Sequence, residues 1–311
     1  MASQPRPSRP AVPPSGAYRA VGMALAALAV IAFSFRPIFI KLAYGYVRDP
    51  VTLIALRMVF SLPFFLAAAL WQREAASKAP ISRRDFWAIL LLGFLGYYFA
   101  SFVDFLGLQY ITAGLGRLLL FVYPTIVVFL SWAFLHKRAG AREIVALIAT
   151  YAGLALVLAH AVAGQHENLP LGAALVFASA VSYAIYLVVG AQVIQRVGSM
   201  RFTAYALLIA CLLCIVQFFL LRPLAALALP WQVYALAIAM AIFSTVLPTF
   251  MTAEALKRVG ANRVAILGAL GPVSTILTGW LGLEEAMTVP QIAGTALVLG
   301  GVVLVGLRPR S

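Results

Sequence analysis

Five ionisable side chains lie in stretches of chain that are otherwise apolar: Arg36, Lys41, Arg57, Asp104 and Arg117. A charge held in hydrocarbon costs about 3 kcal/mol or more, so each must find a partner, reach water or serve a ligand. Four cations face one acid. One of them can pair with Asp104, and the remainder leave an excess of positive charge. The chemistry that fits is capture of a carboxylate or another anion by charge-assisted hydrogen bonds. Arg36 and Arg117 are the candidates for that role. The competing account is structural, with long side chains snorkelling to an interface or closing ion pairs. Lys41 and Arg57 suit this second account better and are read as structural or gating residues. Asp104 is the only acid well inside such a stretch, so any proton coupling runs through it.

Hydroxyl and aromatic groups recur at helical spacing in the same regions. Tyr97, Ser101 and Asp104 stand at i, i+4 and i+7, with Tyr98 and Phe102 beside them. Ser179, Ser182, Tyr183 and Tyr186 make a second stripe. Thr245, Thr249 and Thr252 make a third, and Gly268, Gly271, Ser274, Thr275 and Thr278 a fourth. One outcome is a lined cavity that takes an amino acid. Its side chain would lie against Tyr98, Phe102, Tyr183 or Tyr186, and its carboxylate would point at Arg36 or Arg117. The other outcome is interhelical hydrogen bonding and close packing of small residues.

The elements that position these groups are long and apolar. Ten stretches can each cross a hydrocarbon core of about 30 Å. They are Val21–Leu42, Val51–Trp71, Phe86–Leu108, Thr112–Leu135, Ile144–Val162, Leu171–Gly190, Phe202–Leu221, Trp231–Glu254, Arg263–Leu283 and Val289–Leu307. Hydrophobic residues make up 64% of the 311 and charged residues 10%, more apolar surface than a water-soluble domain can hide. Segments this long are helical, because a barrel needs short alternating strands. The predicted fold is an all-α integral membrane protein, with spans 1 to 10 joined by short loops. Pro37, Pro124, Pro248 and Pro272 fall inside spans and permit kinks. The cavity expected from the polar stripes is lined by spans 1, 3, 4, 6, 8 and 9.

Residues 1–16 carry five prolines and two arginines and read as a disordered tail. The apolar run that follows is too long for a cleaved leader. With the N-terminus inside, seventeen Lys and Arg fall in inner segments and three in outer ones. That places both termini in the cytoplasm, with the chain multi-pass in the inner membrane. The net charge of +14 is thereby explained by insertion and by anionic headgroups, with no nucleic acid as partner. Cys211 and Cys214 read as small buried hydrophobes rather than a redox or metal pair. No cofactor or metal is expected. Paired acids, a Ser–His pair or HExxH within a span would point to an intramembrane enzyme, and a repeated filter sequence to a channel; the sequence carries neither. The expected partners are a small-molecule substrate and the lipid bilayer, with the protein acting as a monomer or weak dimer.

The chain contains itself twice. A slip of 148 residues lays Leu108–Val157 on Leu256–Val305 without a gap, and Pro124 meets Pro272, Trp132 meets Trp280 and Gly153 meets Gly301. Each half then holds five helices. An odd number sends the second half into the membrane from the opposite side, the arrangement of alternating-access transporters. The repeats are assigned to residues 17–163 and 168–308.

At this point the sequence resembles the drug/metabolite transporter superfamily, in its ten-helix branch of paired EamA-type domains. FSFRPIFIKLA, with Lys41, resembles the opening pattern of the family. DPVTLIALRMVFSLPFF supplies the family arginine as Arg57, and ITAGLGRLLLFVYPTIVVFLSWAFL its mid-helix Pro124. GANRVAILGALGPVSTILTGWLGLEEAMTVPQIAGTALVLGGVVLV, with Pro272, Glu285 and Gly294, resembles the end of an EamA domain. Lys137, Phe33 and Arg36 depart from the pattern, which loosens the transfer of any particular substrate. The resemblance implies a secondary transporter, exporting amino acids or related metabolites, aromatic amino acids among them. Transport or exchange of phosphorylated metabolites or nucleotide-sugars is the alternative.

Overall fold

The computed structural model describes residues 16–75, 81–123, 125–127, 129–130, 144–145, 148–149, 151–153, 155–156, 168–259, 267–268, 270–283 and 288–306. Span 5 lies mostly outside these residues, and Pro124 and Lys137 lie outside them altogether. Every regular element among the described residues is helical. In chain order these are α1 (Gly16–Ser34), α2 (Arg36–Tyr44), α3 (Pro50–Ala75), α4 (Arg83–Gly93), a first π segment (Phe94–Phe99), α5 (Ala100–Gly107) and α6 (Ala113–Leu120). There follow α7 (Leu169–Val197), α8 (Ser199–Leu221), a 3-10 turn (Leu224–Leu227), α9 (Trp231–Ala241), a second π segment (Ile242–Val246), α10 (Leu247–Val259), α11 (Leu270–Leu283) and α12 (Val289–Gly306). Among the described residues six helical rods are long and apolar enough to cross a membrane: Gly16–Tyr44, Pro50–Trp71, Arg83–Gly107, Leu169–Ile194, Met200–Leu221 and Trp231–Thr252. At 1.5 Å per residue, α8 is about 34 Å long, the thickness of a hydrocarbon core.

Local sequence accounts for the breaks. Ser82 caps α4 by accepting from the Asp85 N–H at 3.1 Å, while its hydroxyl donates to the Asp85 carboxylate at 2.8 Å. Thr112 caps α6 in the same way through the Leu115 N–H. Between α7 and α8 a single residue turns the chain. Gly198 sits at φ 92°, a conformation that a side chain would strain. Span 1 breaks at Phe35, because Pro37 has no N–H to donate one turn back. In span 8 the second π segment precedes Pro248, which removes a further helix bond. Span 3 widens at Phe94–Phe99 without a proline, and the Ala100 N–H reaches back five residues to the Leu95 carbonyl. The two π segments begin at Phe94 and Ile242, 148 positions apart.

Packing brings α8 alongside α3, α10 alongside α1 and α5 alongside α7. The largest core cluster joins Ile40, Leu53, Ile54, Phe65, Phe105, Leu118 and Leu207 across these helices. Cys211 and Cys214 are free and fully buried, with Cys211 Sγ against Met58 Sδ at 3.6 Å. Large apolar side chains such as Trp71, Phe219 and Leu220 point outward. In a bilayer they face lipid at no cost, because acyl chains are as apolar as the side chains.

Two fork-shaped ion pairs tie α8 and its flanks to the first part of the chain at opposite ends of the bundle. At one end Arg222 Nε and Nη2 donate to the two oxygens of Asp49 at 2.7 and 3.0 Å. At the other, Arg196 Nε and Nη2 both donate to Asp85 Oδ1, at 2.9 and 2.6 Å. Burial pushes the Asp49 carboxyl up, but the Arg222 guanidinium, the Thr52 hydroxyl and the Val51 N–H outweigh it and hold it below its ordinary value. The pair therefore stabilises the fold above the unfolded-state value of about 3.9 and loses that contribution as pH falls through the lower native value. Asp49→Asn should lower the melting temperature at pH 7 by the equivalent of about 0.2–1 kcal/mol, the range for a partly exposed pair. Melts repeated down to pH 3 should show the gap to the unsubstituted protein closing; a gap constant with pH would mean that Asp49 acts through its shape alone.

Candidate functional site

The break in span 1 sets Arg36 at the start of α2, where its Nη2 donates to Asp104 Oδ2 on α5 at 2.8 Å. The pair is well sheltered, with the Arg36 side chain 20% exposed and the Asp104 side chain 5%. α5 and α6 meet in a tight bend, so Arg117 comes back to the same place. Arg36, Pro37, Asp104, Leu108, Gly116, Arg117 and Leu120 line one small polar cleft. The first turn of α2 adds the positive end of a helix dipole to its wall. Two guanidinium groups and one carboxylate thus share the cleft. Its volume is about 10 Å³, room for about one water molecule.

Arg117 is held in place by an absence of side chain opposite. Its Nη2 would stand 2.7 Å from a Cβ built on Gly271, so only glycine lets the guanidinium lie flat on α11. Arg117 Nε is buried and meets no hydrogen-bond partner among the described residues. α11 is in turn clasped to the end of α1. Ser34 Oγ donates to the Gly271 carbonyl at 3.1 Å, and Thr275 Oγ1 donates to the Ser34 carbonyl at 3.3 Å. The small polar residues of span 9 therefore serve as packing and as a clasp between helices far apart in sequence.

Arg57 does not line the cleft. It is 1% exposed on α3, with its guanidinium 4.8 Å above the Phe105 ring. Its Nε and Nη2 are buried and have no hydrogen-bond partner among the described residues. Lys41 is half-buried on α2, and Pro272 is buried in the first turn of α11.

The aromatic candidates divide. Tyr97 and Tyr186 meet hydroxyl to hydroxyl at 3.1 Å, with rings 5.0 Å apart. Tyr183 stacks on Tyr186 at 5.6 Å, and Tyr123 meets Tyr183 edge-on at 5.1 Å. Phe202 closes the cluster on the far side of Tyr186 at 5.7 Å. Gly96 seats Tyr186, since a Cβ there would stand 2.7 Å from the Tyr186 Cβ and overlap its ring. Tyr98 packs with Phe94 instead, and Phe102 packs with Val51, Ala55 and Phe218. The stripe Tyr97, Ser101, Asp104 assumed 3.6 residues per turn throughout. The π segment turns Tyr97 away from it, towards α7, while Asp104 faces α2.

The hydroxyls of span 6 have a different task from lining a cavity. Ser182 Oγ donates to the Leu95 carbonyl at 2.8 Å and Ser179 Oγ to the Ala100 carbonyl at 2.7 Å, both on the widened turns of span 3. Thr245 and Thr249 bond carbonyls of their own helix. Among the described residues the polar cleft is walled by spans 1, 3 and 4, and spans 6, 8 and 9 contribute no wall to it. The reason is that the tyrosine rings fill the space between α7 and the first π segment. A larger hollow, about 470 Å³, is apolar and lies along Leu95, Phe99, Phe177 and Val181. Tyr123, Phe202 and the seats at Gly96 and Gly271 were not singled out for these roles by the sequence.

Comparison with known proteins agrees with this architecture. The profile described as "EamA-like transporter family" matches residues 20–159 and again residues 170–307. The uncharacterized transporter YcbK of Bacillus subtilis (strain 168) is 27% identical over 299 residues, covering 94% of each chain. The uncharacterized transporter sll1319 of Synechocystis sp. is 24% identical over 306 residues, 91% of this chain and 92% of that one. A solved crystal structure shares the fold at a TM-score of 0.64 and 19% identity, over 92% of this chain and 96% of the other.

Proposed function

The chain belongs to the EamA-like transporter family, and from that premise we propose that it is a secondary transporter exporting amino acids or related small carboxylates across the inner membrane. The observation that carries this reading is the cleft in which Arg117 offers a buried, unpartnered N–H beside the Arg36–Asp104 pair. Such a site suits one carboxylate, held by charge-assisted hydrogen bonds and by the positive end of α2. The tyrosine cluster on α7 offers an apolar surface with polar tips for the rest of an amino acid, aromatic ones included. Room for one water means that the site is closed in this state, and loading requires the helices around it to part.

Two five-helix repeats, residues 17–163 and 168–308, inserted in opposite senses, would supply that motion. The double match of one family profile and the π segments at matching positions support the repeat. The lysine and arginine asymmetry supports ten spans with both termini cytoplasmic. In this orientation the Arg36–Asp104 cleft lies towards the outside.

Counterflow in liposomes tests the reading. The purified protein is reconstituted with unlabelled L-phenylalanine, L-threonine or L-glutamate inside and the labelled compound outside. The expected result is transient accumulation of at least one of them. Accumulation confined to phosphorylated metabolites or nucleotide-sugars would transfer the site to those anions, and no movement of any amino acid would end the amino-acid reading.

A further inference from the structure

Arg57 is a fully buried cation of this group that does not line the cleft. It is 1% exposed, two of its nitrogens lack any protein acceptor, and a guanidinium does not shed its proton to escape the cost. Its position supplies a reason. The guanidinium lies over Phe105, the residue after Asp104, and α3 packs directly on α5. Asp104 is the acid next along the chain to that ring, and it already has one cation as its partner. It binds Arg36 through Oδ2. Arg36 rides on α2, separated from α1 by the break at Phe35, whereas Arg57 and Asp104 ride on the packed α3–α5 pair.

We propose that Arg57 is the second partner of Asp104: when a substrate carboxylate takes Arg36, the Asp104 carboxylate leaves Arg36 and docks on the open N–H groups of Arg57. In the empty site Asp104 occupies Arg36 as a stand-in for the substrate. In the loaded site both Arg36 and Arg57 are paired. The trigger in this scheme rests on the carboxylate reading above; the exchange of partners does not, and can be measured with no ligand present. Arg57 is thus a positioning residue for the port.

Thermal melts of the full-length protein in detergent, without amino acid, test the exchange. Arg57→Gln alone should leave the melting temperature unchanged or slightly raised, because Asp104 keeps Arg36 and a lone buried charge is removed. Arg36→Gln alone should lower it little, because Asp104 passes to Arg57. Arg36→Gln/Arg57→Gln should lower it by about 5 °C or more beyond the sum of the two, since Asp104 then loses both hydrogen-bonding partners and keeps only Arg117 across the cleft. Adding Asp104→Asn to that double variant should recover most of the loss, and Arg36→Gln/Arg117→Gln should be additive. A double variant equal to the sum of its parts, no recovery with Asp104→Asn, or a collapse of Arg57→Gln by itself each overturns the proposal. A protein that shows the exchange and yet binds no L-phenylalanine, L-threonine or L-glutamate would separate the two claims and leave only the carboxylate port in error.

Discussion

Arg117→Gln is expected to raise the apparent substrate constant for a transported amino acid roughly ten- to a hundredfold while leaving the amount of folded protein unchanged. A charge-assisted hydrogen bond is worth about 1.5–3 kcal/mol net, and each 1.4 kcal/mol is a factor of ten. The protein level should hold because, among the described residues, Arg117 makes no ion pair that the substitution would break, and its buried Nε meets no partner there. Gly271→Ala should move the constant in the same direction with Arg117 still present. The new Cβ would meet Arg117 Nη2 at 2.7 Å and push the guanidinium off its bed on α11. Because the displaced group is the free end of a flexible side chain, the effect should be smaller than that of Arg117→Gln. The measurement is initial rate against substrate concentration in liposomes for the unsubstituted protein and the two variants. If Arg117→Gln and Arg36→Gln both transport with unaltered constants, the cationic cluster is structural.

The second large effect is expected from Gly96→Ala. The backbone of the first π segment presents Gly96 flat to Tyr186, and the methyl group would overlap the base of the tyrosine ring. Tyr186 cannot retreat easily, being held between Tyr183 and Phe202. Overpacking of a filled core costs about 1–3 kcal/mol, and here it should also break the Tyr97–Tyr186 contact. The same substitution in a Tyr186→Ala background should cost little, because the ring it strikes is gone. Melting temperatures of the two single variants and the double variant decide the matter. A Gly96→Ala penalty that persists without the ring would put the cause in the backbone of the π segment instead.

Much of this arrangement was legible in the sequence because lipid simplifies the reading. An apolar run of about twenty residues has few alternatives to a helix, and the observed α3, α8 and α12 begin and end within a few residues of spans 2, 7 and 10, apart from the inner end of α3. The charge count also singled out Asp104 and Arg36, which prove to be paired. Three things escaped. The π segments carry no compositional mark in span 3, so a fixed helical period placed Tyr97 on the wrong side of the helix. The acceptors of the span 6 serines escaped too: interhelical bonding was one of two open readings, but which carbonyls of span 3 they meet cannot be read from the spacing along one helix. The Asp49–Arg222 and Asp85–Arg196 forks join loops and helix ends more than a hundred residues apart, a pairing that spacing along one helix cannot reveal.

The widened turns also say something about history. A π turn is an α-helix with one residue too many, and the two in this chain begin at Phe94 and Ile242, the same separation that lays one half of the sequence on the other. Two insertions made after the halves became separate would have had to strike the same register independently. One insertion in a single ancestral gene, copied when that gene was doubled, yields both at once. On this account the extra residue is older than the doubling, and the single ancestral unit already carried the widened turn before it was copied.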